Sequence, residues 1–323
     1  MRNSLIKLLA NATSGKHGDS RLLILYYHRV LDEPDPLLPG VIDRGSFDAQ
    51  MRIVAKCFRP RKLCDAVNEL VSNSLPPRTI SITFDDGYAD NCSVALPVLS
   101  KYGVPATFFI ATGYLDGGRM WNDTVTESIR QATGRRLAIP GLAEQSISIE
   151  TTEDRVSAAR RVIHHLRELT PEERDRRANA MAEMVGADLP NDLMLSSDQL
   201  LSLHRAGMEI GAHTVTHPIL CSLAIDQARM EIESSRTRLS QVTGVDIVGF
   251  AYPNGRPGVD YDQDHVDIVK RAGFAYAVST RRGTGASDSD VLQLPRHDPW
   301  NQTPFKFGLR AGLQYRMTVE SAA

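Results

Sequence analysis

The chain has 323 residues, 42% of them hydrophobic and 24% charged, with a formal net charge of −2. That is a globular composition, long enough for one large α/β domain or two ordinary ones. The balanced charge argues against a general electrostatic footprint for nucleic acid or an anionic membrane, and no apolar run approaches the roughly 20 residues that span a bilayer.

In chain order, "MRNSLIKLLANATSGKHGDS" comes first, with a basic start and an apolar core interrupted by Lys7. It reads as an N-terminal extension over 1–20, an amphipathic helix and a linker rather than a cleaved signal, which favours the cytoplasm. The catalytic-size domain then runs over 21–310, with a tail at 311–323. Short β-leaning runs recur at "LLILYY" (22–27), "TISITF" (79–84), "ATFFIA" (106–111), "MEIGA" (208–212), "VGFAY" (248–252), "AYAVS" (275–279) and "VLQL" (291–294). Most are continuous rather than alternating, as in strands covered on both faces.

Helical patterns separate these runs. "YADNCSVALPVLSKYG" ends in Gly103 as a C-cap, with Pro97 bending it. "AIDQARMEIESSRTRLSQVTG" and "DHVDIVKRAG" also close on glycine. Alternating strand and helix predicts a parallel sheet, and seven strands over this length can close into a (β/α)7-type barrel. Between Thr112 and Gly207 no strand is expected. Thr170 there reads as an N-cap before Pro171, and Ser196 and Gln199 as a capping box. The stretch 115–195 is therefore a helical insertion after the third strand, at the face where barrels build active sites. The four cysteines, Cys57, Cys64, Cys92 and Cys221, form no CxxC pair and read as core thiols.

Two places carry chemistry. Asp85 and Asp86 lie side by side after the second strand, where burying either carboxylate without a cation is costly. The ordinary explanation is an Asp-Gly turn. His213 and His217 are four apart after the fourth strand, a spacing at which both imidazoles can reach one metal. Parallel strands bring their C-terminal ends to one face. One aspartate can then bind a cation while its neighbour stays free as a base.

These residues resemble the polysaccharide deacetylases that share the NodB homology domain, carbohydrate esterase family 4. "TFDDG" (83–87) and "HTVTH" (213–217) match the family's first two motifs, and "AYPNG" (251–255) stands where the third is usually Arg-x-Pro-Tyr-Gly. The resemblance runs from about Leu22 to Trp300, the insertion aside, and implies a distorted α/β barrel. It implies a divalent metal, zinc in most members, held by Asp86, His213 and His217. It makes Asp85 the general base for the attacking water and the Asn254 N–H an oxyanion donor. The substrate class implied is an N-acetylated oligosaccharide or polysaccharide.

The departures from the family concern the remaining roles. Ala251 replaces the arginine that holds the base, so Arg296 in "LPRHDPW" is the first substitute and Arg256 the second. The Leu-x-His and Asp-Trp motifs are not cleanly present. His28 in "LYYHRV" and His297 compete as general acid. The exopolysaccharide-associated branch takes its acid from a Tyr-His pair after the first strand, which favours His28. Tyr88, Tyr252 and Trp300 are candidates to line the sugar site, and Trp121 and Asn122 to form part of a lid. Two alternatives stand beside the deacetylase reading. One is hydrolysis of a small amide or an O-acetyl ester; the other is a catalytically silent sugar binder that lacks the motif arginine.

Overall fold

The computed structural model describes residues 2–16, 20–139, 146–299 and 303–317. Six strands, β1 (Leu23–Tyr27), β2 (Thr79–Phe84), β3 (Ala106–Ile110), β4 (Glu209–Ala212), β5 (Gly249–Ala251) and β6 (Tyr276–Val278), pair in parallel in that order. Every residue of β2 and β3 is buried, which is why their sequences are unbroken apolar and threonine runs. At Gly211 in β4, an added Cβ would lie 2.4 Å from the Phe109 ring. Glycine there lets the neighbouring β3 side chain cross the sheet.

The seventh stave differs from the predicted strand. Pairing falls at 294–297 rather than 291–294, as two isolated parallel bridges, Val278 to Leu294 and Leu25 to His297. Residues 290–293 form a turn instead, with Leu292 N–H on the Asp290 carboxylate. Pro295 interrupts the pairing because it has no N–H to donate. The two bridges join β6 back to β1 and curl the sheet into a ring.

Helices cover the outside. They include α1 (Arg2–Thr13), α2 (Arg44–Cys57), α3 (Leu63–Val71) and α4 (Leu96–Tyr102), the last closed by Gly103 in the left-handed region. The predicted insertion holds α5 (Trp121–Gln131), α6 (Thr152–Arg167) and α7 (Pro171–Val185) around their own apolar cluster of Val125, Ile129, Val162, Leu166 and Met181. It also contains an antiparallel pair of two-residue strands, Arg136–Leu137 and Ile147–Ser148, where no strand was expected. Thr170 caps α7, and Ser196 caps α8 (Ser197–Arg205) through the capping box.

On the far side of the insertion, α9 (Ile225–Thr243) and α10 (Gln263–Arg271) continue the alternation before α11 (Pro304–Gln314). The Thr13 hydroxyl donates to the Gly312 carbonyl, and Ile6 crowds Gly308. The segments read as extension and tail thus pack on each other. Among the described residues no helix is long and apolar enough to cross a membrane. All four cysteines are free, and the core-thiol expectation holds for Cys57 alone: Cys64 and Cys92 are half-buried and Cys221 is exposed.

Candidate active site at the barrel rim

β2 delivers the paired aspartates in strand register, the Asp85 N–H bonding the Tyr27 carbonyl at 2.9 Å. The chain then reverses within one residue. The Gly87 N–H reaches back to the Asp85 carbonyl at 2.9 Å around Asp86, whose φ is 75°. This is the strained hand of γ-turn, and it is held from outside: Ala111 N–H bonds the Asp86 carbonyl and Leu195 N–H the Gly87 carbonyl. Adjacent carboxylates therefore face different partners.

Asp85 faces Arg296. The two guanidinium nitrogens donate to the two carboxylate oxygens at 2.8 Å each, while Nε donates to the Ser279 carbonyl and Nη1 also to the Thr83 hydroxyl. Arg296 is 0% exposed and lies over the Tyr26 ring at 4.8 Å. Burial alone pushes the Asp85 carboxyl up, but the Arg296 guanidinium outweighs it and holds the group below the usual carboxylate range. Arg256 is engaged elsewhere, with Asp260 at 2.9 Å.

Asp86 faces the histidines. Its Oδ1 lies 3.5 Å from Nε2 of both His213 and His217, and no hydrogen bond satisfies this buried atom. Two nitrogens and one oxygen on a single tetrahedral ion, with bonds of about 2.0–2.1 Å, would sit roughly 3.3 Å apart. The trio fits a divalent cation in donor type and spacing. The Nδ1 of His213 lies 2.7 Å from the Ala251 carbonyl, which can only accept. Nδ1 therefore carries a proton, which leaves Nε2, on the Asp86 side, as the nitrogen that would ligate an ion. Burial pushes the Asp86 carboxyl up, yet the two imidazoles, His213 foremost, bring it far below its usual range.

The loop between the histidines is bent as sharply. Thr214 and His217 both have positive φ, and Glu231 on α9 accepts the Val215 and Thr216 N–H groups at 2.8 Å each. In the third motif the Gly255 N–H bonds the Pro253 carbonyl around Asn254, φ 57°, making a second strained γ-turn. Four of the seven non-glycine residues with positive φ among the described residues fall in these three motifs. Backbone strain so concentrated marks a functional site.

The family model for polysaccharide deacetylases matches residues 72–277, a span that includes all three motifs. The chain belongs to the polysaccharide deacetylase family. It is 22% identical over 279 residues to YxkH of Bacillus subtilis (strain 168), covering 86% of this chain and 71% of that protein. Among solved structures it is similar to the Streptococcus pyogenes deacetylase PplD in complex with acetate, at 20% identity and a TM-score of 0.61, covering 91% of this chain and 98% of that one. IcaB from Ammonifex degensii is also similar, at 20% identity and a TM-score of 0.57, with 91% and 97% covered. At these identities the structural likeness establishes the fold.

This polysaccharide deacetylase family chain places its two candidate acids differently. His28 is exposed at the end of β1, its ring edge-on to Tyr26 at 5.8 Å, and it is an electrostatic neighbour of Asp85, Asp86 and His217. His297 is not brought to the site. Successive side chains of an extended segment alternate faces, so with Arg296 inside, His297 points outward toward Arg282 and Arg310. There burial, then Arg282, lowers it to about 4. Tyr252 is likewise core, stacked on Tyr261 at 3.7 Å with its hydroxyl on the Leu292 carbonyl. Trp300 lies outside the described residues.

A network behind the rim carries no mark in the sequence. Arg29 pairs with Asp90 at 2.7 Å and lies over the Tyr88 ring, whose hydroxyl donates to Asp123 at the start of α5. Tyr88 is thus a buried strut between barrel and insertion. Burial pushes the Asp123 carboxyl up to about 6, against the pull of Arg29. A carboxyl raised in the folded state binds more protons there, so its contribution to stability grows as pH falls from about 6 toward 3.8. Over that window the wild type should gain up to ~3 kcal/mol relative to Asp123→Asn. Urea denaturation at pH 7.5 and 4.5 reads this directly, and a pH-independent difference between the two proteins would exclude it.

Proposed function

We propose that the chain is a metal-dependent hydrolase that removes acetyl groups from N-acetylated sugars of a polysaccharide or its precursor. One observation carries the reading: two adjacent buried carboxylates are divided, Asp86 toward two histidines with an unsatisfied oxygen, Asp85 toward a buried arginine. Asp86, His213 and His217 would hold the ion, zinc in the reading preferred here, although such donors also accept other divalent ions. When bound, the ion supplies Lewis acidity that polarises a carbonyl and lowers the pKa of water.

The chain's own residues do the rest. Asp85 is ionised at neutral pH and takes a proton from the attacking water, while Arg296 fixes both of its oxygens. The Asn254 N–H, presented by its strained turn, is the proposed donor to the developing oxyanion. His28 returns a proton to the leaving amine from the exposed side of the rim. Acetate, the molecule bound in the PplD structure, is the small product this reaction would release.

The test is acetate release from N-acetylglucosamine oligomers of increasing length, with metal and with chelator, beside an O-acetylated control. Chelator-sensitive release from the N-acetylated series is expected. Release from the O-acetylated control alone would move the chemistry to esters, and metal binding without any release would leave a silent binder. Asp86→Ala should lose the ion by elemental analysis, from stoichiometric to near zero, with the circular dichroism spectrum retained. Full metal occupancy in that variant would remove Asp86 from the ligand set.

A further inference from the structure

The insertion, with the turn that leads into it, forms an open pocket of about 170 Å³ whose lining includes Tyr114, Arg119, Trp121, Asp175 and Asn179. It adjoins the histidine loop through a built seam. Thr112 and Gly113 N–H groups bond the Thr214 and Val215 carbonyls at 3.1 and 2.8 Å, and the Tyr114 hydroxyl donates to the Thr216 carbonyl at 3.2 Å. A Cβ at Gly113 would lie 2.8 Å from the Val215 oxygen, so the two backbones meet this closely only because residue 113 is glycine. Tyr114 therefore lines the pocket and touches the residue preceding His217.

The lining has the chemistry of a sugar contact. Trp121 offers an indole, and the Arg174 guanidinium lies over that ring at 5.0 Å. Arg174 is 4% exposed, with its Nε unsatisfied and 3.5 Å from the Asp175 carboxylate, so the ring is backed by a buried charge rather than by water. One cation, Arg119, and one anion, Asp175, leave the wall without net charge, which suits a neutral polar ligand over an ionic one. A pyranose ring presents an apolar face to an aromatic and hydroxyl or acetamido groups to Asp175 and Asn179. The volume is well under the ~300 Å³ at which sites for drug-sized ligands begin, so it suits one ring and not a chain.

We propose that this pocket is a sugar subsite, taking a ring adjacent to the one that is deacetylated; this rests on the function proposed above. The insertion then selects oligomers over single sugars. Binding of N-acetylglucosamine tetramer and monomer is measured by calorimetry in the Asp85→Asn background, with Trp121→Ala or Asn179→Ala added. Asn179 is exposed, so its truncation leaves the insertion's core in place. Both variants should weaken tetramer binding on the order of tenfold, the equivalent of one good contact, and narrow the gap between tetramer and monomer.

Unchanged tetramer affinity in both variants, or no tetramer binding by the parent, overturns the subsite. Acetate release by the wild type from the same tetramer separates the two readings. Release together with unchanged variant affinity removes the subsite alone. Trp121-dependent binding without release keeps the subsite and removes the deacetylase chemistry.

Discussion

Asp85→Asn is expected to lower kcat by 10²- to 10⁴-fold, the usual contribution of a positioned general base, while the protein still binds its ion. The separation follows from the geometry. The Asp85 oxygens face Arg296 and the Asp86 oxygen faces the histidines, so the amide substitution changes one set and leaves the other. An asparagine keeps one acceptor for the guanidinium but sets an N–H₂ group against it, so some stability is lost as well. Denaturation and metal analysis on the same sample distinguish lost chemistry from lost fold. Full activity in Asp85→Asn would remove it as the base.

Arg296→Met should destabilise the fold by about 3–5 kcal/mol, the range for removing one partner of a buried ion pair. The variant leaves the Asp85 carboxylate, 3% exposed, buried without its counter-charge and deletes the donors to Ser279 and Thr83. The pH dependence has a definite sign. In the wild type the folded-state pKa of Asp85 lies below 3.8, so its stabilising contribution is present above that value and lost as pH falls through the folded pKa. Without Arg296 burial is opposed only by His213 and His28, the carboxyl rises, and the base is increasingly protonated as pH falls. Arg296→Lys should not rescue, because an ammonium cannot bind both oxygens in the same fork. A loss below about 1 kcal/mol, no more than a surface ion pair supplies, would show that the pair is not the anchor described here.

Six strands were legible because each is a short, largely apolar run, the mark of a sheet covered on both faces. The seventh was displaced because "VLQL" has the right composition but is followed by Pro295, and hydrophobicity does not report a missing donor. Arg296 could be read from its place at a strand end, where the motif arginine was missing. His297 was misplaced because residue spacing alone does not say which face a side chain takes. Glu231, Arg29 and Asp123 carried no signal: each is an ordinary charge in a helix or a loop until the fold brings it to the histidine loop or to Tyr88. The strained turns at Asp86 and Asn254 were equally silent, since aspartate and asparagine sit in many unstrained loops.

The ring's last stave is a thin seam, a single bridge on each side of a proline, and it is also the piece that carries Arg296. The residues proposed to hold the ion come from the turn after β2 and the loop after β4, and both of these strands pair with β3. On the proposed function, closure works as a completion check: a barrel that has not latched would hold its cation but leave Asp85 without a counter-charge. Mild denaturant should accordingly silence turnover before it releases the ion, and simultaneous loss would mean that the seam and the metal half open together.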